Sequence, residues 1–141
     1  MGDWKGAGKM HSRGQALLDS MLVLCASTAV VALLAPAYSQ AYGLSLDAAR
    51  ASQCRKAALE LHSAAELAKA TGQGSQYSGS ISVPDGAEIR YDSASDAVVV
   101  FLSSSSPAAF EAARGCALYG SCEKTCAYRA YYDSGCKISL G

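Results

Sequence analysis

The stretch Arg13-Gly14-Gln15-Ala16-Leu17-Leu18-Asp19-Ser20-Met21, followed by the apolar run 22–37 and then by Tyr38 and Tyr42, decides how the chain is organised. Between Leu17 and Ala37 the only charged side chain is Asp19. About 20 apolar residues is the length at which a helix crosses a bilayer with its backbone groups satisfied internally. Lys5, Lys9 and Arg13 precede the run, and no charge follows it until Asp47. Basic residues are retained on the cytoplasmic side, so the asymmetry predicts a cytoplasmic N-terminus and an exported C-terminal part. Tyr38 and Tyr42 fall where a ring suits lipid and its hydroxyl suits water.

Working outward, the 141 residues suit one membrane segment plus one small domain. The formal net charge is zero, which offers no basic face for a nucleic acid. Only 17% of residues are charged, below the roughly 25% usual in soluble domains. That deficit suits a membrane-attached, exported or self-assembling chain. The six cysteines are unevenly placed: Cys25 in the apolar run, Cys54 midway, and Cys116, Cys122, Cys126 and Cys136 near the end. An exported location makes the last four a disulfide framework, with three connectivities open and Cys54 a candidate partner for one of them.

Periodicity predicts an α+β fold. Residues 1–14 read as a basic leader and 15–45 as the membrane helix. Pro36 marks a kink, because its ring clashes with the preceding turn and its nitrogen donates no hydrogen bond. Beyond it the helix either continues or breaks at Gly43. Residues 46–70 form an alanine-rich helix, with Cys54, Ala58, Leu61, Ala65 and Ala68 on one stripe at spacings of three and four. Gly72 suits the position just past its end. Tyr77, Gly79, Ile81 and Val83 then alternate with serines, as in a half-buried strand. Pro84-Asp85-Gly86 and residues 92–96 read as turns, so 76–102 predicts a three-stranded antiparallel meander centred on 97–102. Ser106 before Pro107 predicts a short helix over 107–114. Residues 107–141 complete the chain as a cysteine-rich tail, apart from the helix and meander of 46–106. Reduction of such a tail is expected to loosen it first and leave the rest folded.

The order of basic residues, Gly14-Gln15, an acidic residue at Asp19 and an unbroken apolar helix resembles the class III signal peptide of archaeal prepilins, the type IV pilin-like proteins. The resemblance implies cleavage between Gly14 and Gln15 by a membrane prepilin peptidase on the cytoplasmic side. It assigns Asp19 an assembly role and keeps the apolar helix, with Pro36 at the usual kink, as the core of a filament of self-associating subunits. The family more often has Glu in place of Asp19 and Ser in place of Leu17. The motif covers about a dozen residues, and the layout of helix, small sheet and variable tail extends the likeness loosely over the chain.

Two other readings compete. Ala35-Pro36-Ala37 and Ser39-Gln40-Ala41 resemble secretory cleavage sites, although the apolar run exceeds the 7–15 residues of an ordinary signal core. Alternatively, the chain is a single-span surface protein whose disulfide-tied head binds a partner without forming a filament. No motif nominates an enzyme, a cofactor or a metal. His62 stands alone on its helix, where solvation is expected. Asp85, Glu88, Asp92 and Asp96 surround turns without EF-hand spacing, and Cys122 and Cys126 lack the compact pairing of a zinc site.

Overall fold

The computed structural model describes residues 7–104 and 107–141, with side chains from Gly14 onward. The elements are helix α1 (Ala7–Thr71) and strands β1 (Gln76–Ser82), β2 (Ala87–Asp92), β3 (Ala97–Leu102), β4 (Ala108–Arg114), β5 (Cys116–Tyr119), β6 (Thr125–Tyr132) and β7 (Cys136–Leu140). The fold is α+β, as the periodicity predicts. The chain divides into two compact units, Met1–Leu44 and Ser45–Gly141. The second unit, the head, contains the last part of α1 and all seven strands. Of the two alternatives beyond Pro36, the helix takes the continuous one: Pro36 and Gly43 both lie within α1.

In the head, α1 buries Cys54, Ala57, Ala58, Leu61, Ala64, Ala65 and Ala68. These residues recur at three and four positions, so they form one stripe, and all five members expected from the sequence belong to it. Most of them are alanine, so the helix presents a stripe of small side chains to the core cluster it shares with the strands. Two hydrogen bonds add to the packing. His62 Nδ1 lies 3.1 Å from the Ala112 carbonyl, which requires the tautomer that donates from that nitrogen. Lys69 Nζ donates to the Arg114 carbonyl at 2.8 Å. His62 is exposed yet tethered to β4, rather than simply solvated. The helix stops at Gly72, whose φ of 79° and amide bond to Ala68 O make it the left-handed cap residue.

The strands form two sheets, β1-β6-β7-β5 and β2-β3-β4. The expected meander is therefore displaced by one strand. The turn at Pro84 does reverse the chain, with Ala87 N bonded to Pro84 O at 3.0 Å. However, β1 pairs with β6 rather than with β2. Their pairing runs on to Val83, whose amide reaches Lys124 O, and ends at Pro84, which has no amide to donate. Tyr128 faces Gly79 across this pair, and a Cβ at Gly79 would meet its ring at 2.8 Å. A glycine therefore makes room for an aromatic supplied from the far end of the sequence.

The second correction is β4. Residues 107–114 were expected to be helical, and Ala108–Arg114 is a strand; Ser106, the expected cap, lies outside the described residues. Local propensity is a weak preference that tertiary pairing overrides. Here β3, buried along nearly its whole length, sits between β2 and β4. A register shift at Val98/Val99 lets the neighbours Ala112 and Ala113 both be buried. Gly115, with φ 64°, then carries the chain from one sheet to the other.

The cysteine-rich tail is built into the sheets. Residues 107–141 form no separate appendage. They supply β4 to one sheet and β5, β6 and β7 to the other. Ala130, Ile138 and Leu140 belong to the same core cluster as Leu61 and Val100.

Candidate functional site

The sequence points to the N-terminal part of α1. Gly14, Gln15 and Asp19 all lie on this helix and are exposed. Gln15 and Asp19 are four residues apart, so they share one face. A Cβ at Gly14 would meet nothing within 4 Å. A mid-helix glycine costs about 1 kcal/mol relative to alanine, and nothing in the described fold requires one there. None of the ion pairs among the described residues includes Asp19.

The following residues present a largely apolar surface. Leu17, Leu18, Met21, Leu22, Val23, Leu24, Val30, Val31, Leu33 and Leu34 are all exposed. By length and composition the helix suffices to cross a membrane, and none of its apolar window is buried. Its small polar residues satisfy themselves. Ser20 donates to Ala16 O, Ser27 and Thr28 to Leu24 O, and Ser39 to Pro36 O, at 2.8–3.0 Å. Hydroxyls bonded to their own helix carbonyls cost little in a medium without water.

The cysteines sort into three kinds. Cys116–Cys136 joins directly paired residues of the parallel strands β5 and β7. Cys122–Cys126 closes a short loop before β6. All four tail cysteines are thus bridged, as expected. Cys54 is not the additional partner: it is a free thiol, fully buried in the helix stripe, where it acts as a small apolar residue. Cys25 is free and exposed on the apolar helix.

The carboxylates around the turns do not converge. Asp85 faces Lys124 at 3.7 Å and Glu88 faces Arg90 at 3.3 Å. Asp92 accepts from Ser95 Oγ at 2.6 Å and from the Ala94 amide at 3.2 Å, and these bonds hold it below the usual carboxylate range. Asp96, at φ 51°, accepts from the Tyr91 hydroxyl. That bond, with burial and the charges of Asp96 and Asp92, raises the Tyr91 phenol above its ordinary value.

One feature escaped the sequence altogether. A cleft of about 480 Å³ is lined by Tyr91, Asp96, Tyr119, Lys137 and the Cys116–Cys136 bridge, among others. Its walls come from both sheets and meet because Gly115 switches the chain between them and because β5 runs parallel to β7. No local pattern announces a parallel pairing between strands separated by a hairpin partner. The only hint lies in the composition of the tail, where tyrosine and glycine replace the aliphatic residues of an ordinary core.

No family model matches the chain, and no curated protein or solved structure resembles it significantly.

Proposed function

We propose that the chain is a pilin-like structural subunit of an archaeal cell-surface type IV filament. A prepilin peptidase removes residues 1–14, leaving Gln15 as the N-terminus. The apolar helix first anchors the subunit in the membrane, with the head outside the cell, and then packs against the helices of other subunits. The observation that carries this proposal is the combination on one exposed helix: a glycine that no packing requires, followed at once by Gln15, Asp19 and an uncovered apolar surface. A carboxylate within a membrane helix costs up to roughly 3 kcal/mol near the bilayer centre and less towards its ends. In a filament the freed amine of a neighbouring subunit's Gln15 offsets that cost by pairing with Asp19.

Mass spectrometry of the native N-terminus provides the test. The mature chain should begin at Gln15 and keep its apolar helix. Gly14→Trp should leave uncut precursor in the membrane. A start at Tyr38 or Tyr42 would mean secretory cleavage and overturn the proposal. Electron microscopy separates the filament from a single-span surface protein: monodisperse material from correctly processed protein would favour the latter.

A further inference from the structure

Every aromatic side chain of the head except two is at least partly buried. The two exposed ones, Tyr91 at 45% and Tyr119 at 52%, line the same cleft. They come from different sheets, Tyr91 from β2 and Tyr119 from the end of β5. An exposed aromatic contributes little to the core, so two of them at one cavity are better explained by what they would touch.

Both signs of charge reach the same cavity. Asp96 brings a carboxylate that accepts from the Tyr91 hydroxyl, on a backbone whose carbonyl accepts from the Gly115 amide at 2.7 Å. Lys137 brings an ammonium, placed by Asp133 Oδ2 at 3.3 Å. The Cys116–Cys136 bridge fixes the two strands beneath. The volume of about 480 Å³ falls within the roughly 300–1,000 Å³ typical of small-ligand sites.

The lining selects among ligands. A quaternary ammonium would be drawn to the tyrosines and Asp96 but repelled by Lys137. A phosphate would find one cation, already paired with Asp133, and would be opposed by Asp96. A purely apolar ligand would leave both charges without partners. A neutral sugar meets all three demands. Its C–H faces lie on tyrosine rings, and its hydroxyls both donate to a carboxylate and accept from an ammonium. We propose that this cleft is a binding site for a neutral saccharide, held between Tyr91 and Tyr119 with its hydroxyls on Asp96 and Lys137. The site is independent of how the N-terminus is processed and of whether the chain forms a filament.

The test uses the full chain in lipid nanodiscs, free of glycoside detergents. A glycan array carrying neutral and acidic saccharides is probed first. The saccharides it retains are then titrated by calorimetry, alongside choline and inorganic phosphate. A neutral saccharide should bind. Tyr119→Ala should weaken it about tenfold, the order expected for losing one aromatic contact, whereas Tyr119→Phe, which keeps the ring, should change it little. Lys137→Met, which keeps the side-chain stem and removes the donor, should also weaken it. Retention of no neutral glycan, preferential binding of choline or phosphate, or affinity unchanged in both Tyr119→Ala and Lys137→Met would each overturn the assignment.

Discussion

Two stretches of α1 treat their apolar residues in opposite ways. Over residues 17–34 the large side chains are exposed, Leu33 to 76%, whereas over residues 54–68 mostly small ones are buried, with Ala65 and Ala68 at 0%. Hydrophobicity alone would predict the reverse ranking. Burial instead follows the partner: the later stretch shares its core cluster with residues of the strands. The earlier stretch is left uncovered, and by length and composition it suffices to cross a membrane. In the proposed bilayer or bundle of like helices, leucine and valine would find the apolar surroundings that the strands give the later stretch.

The largest expected effect sharpens that contrast. Leu61, fully buried beneath the sheets, should cost about 2–5 kcal/mol when replaced by alanine. Leu24→Ala, within the exposed run, should leave unfolding of the head unchanged. Denaturant unfolding of the detergent-solubilised chain, followed by near-ultraviolet circular dichroism of the head tyrosines, compares the two. A comparable loss in both variants would mean that the run is part of the folded core after all.

The next effect distinguishes the two disulfides. Cys116–Cys136 spans 20 residues and Cys122–Cys126 spans 4. Loop entropy assigns about 3 kcal/mol to the first and about 2 to the second. The sequence alone suggested that reduction would release a tail and spare the rest. The sheet order changes that expectation, because among the described residues β1 pairs with β6 alone, and β6 lies beside the bridged β7. Loosening the bridge therefore deprives β1 as well. In hydrogen exchange, replacement of Cys116 and Cys136 by alanine should speed the amides of β1 together with those of β5–β7. Replacement of Cys122 and Cys126 should act mainly on the loop before β6. Loosening of residues 116–141 alone in the first variant would restore the separate tail.

What was legible in the sequence was whatever repeats locally. The stripe from Cys54 to Ala68, the cap at Gly72, the turn at residues 92–96 and the buried strand 97–102 each announce themselves within a few residues. What was not legible was set by distant pairings. The sequence 108–114 is as good a helix as a strand until β3 claims it. The glycine at position 79 reads as a weak point in a strand until Tyr128 is laid over it. The Gly14-Gln15 motif was legible as a pattern, and the structure adds that no packing in the described fold calls for its glycine. The cleft had no pattern to read, because its walls are joined only through the crossing at Gly115 and the parallel pair β5 and β7.

The smallest effect lies at that cleft and concerns pH. The Tyr91 phenol donates to Asp96, and this bond is the main reason its ionisation is raised above the ordinary tyrosine value. A group whose folded pKa is raised contributes stability below its unfolded pKa, about 10 for tyrosine, and loses that contribution as pH rises through the folded value. The pair is therefore intact at neutral pH and released only under alkaline conditions, and because Tyr91 is exposed its effect on overall stability is small. Spectrophotometric titration of the phenols isolates it. The native chain should show a late-ionising tyrosine that is absent from Tyr91→Phe. In Asp96→Asn it should move back towards the ordinary range, because the amide still accepts a hydrogen bond but carries no charge. Asparagine tolerates the left-handed backbone that Asp96 adopts, so the turn should survive the change. Superposable titrations of the native chain and Asp96→Asn would show that the two groups are uncoupled, and that Asp96 is held in the cleft by its backbone alone.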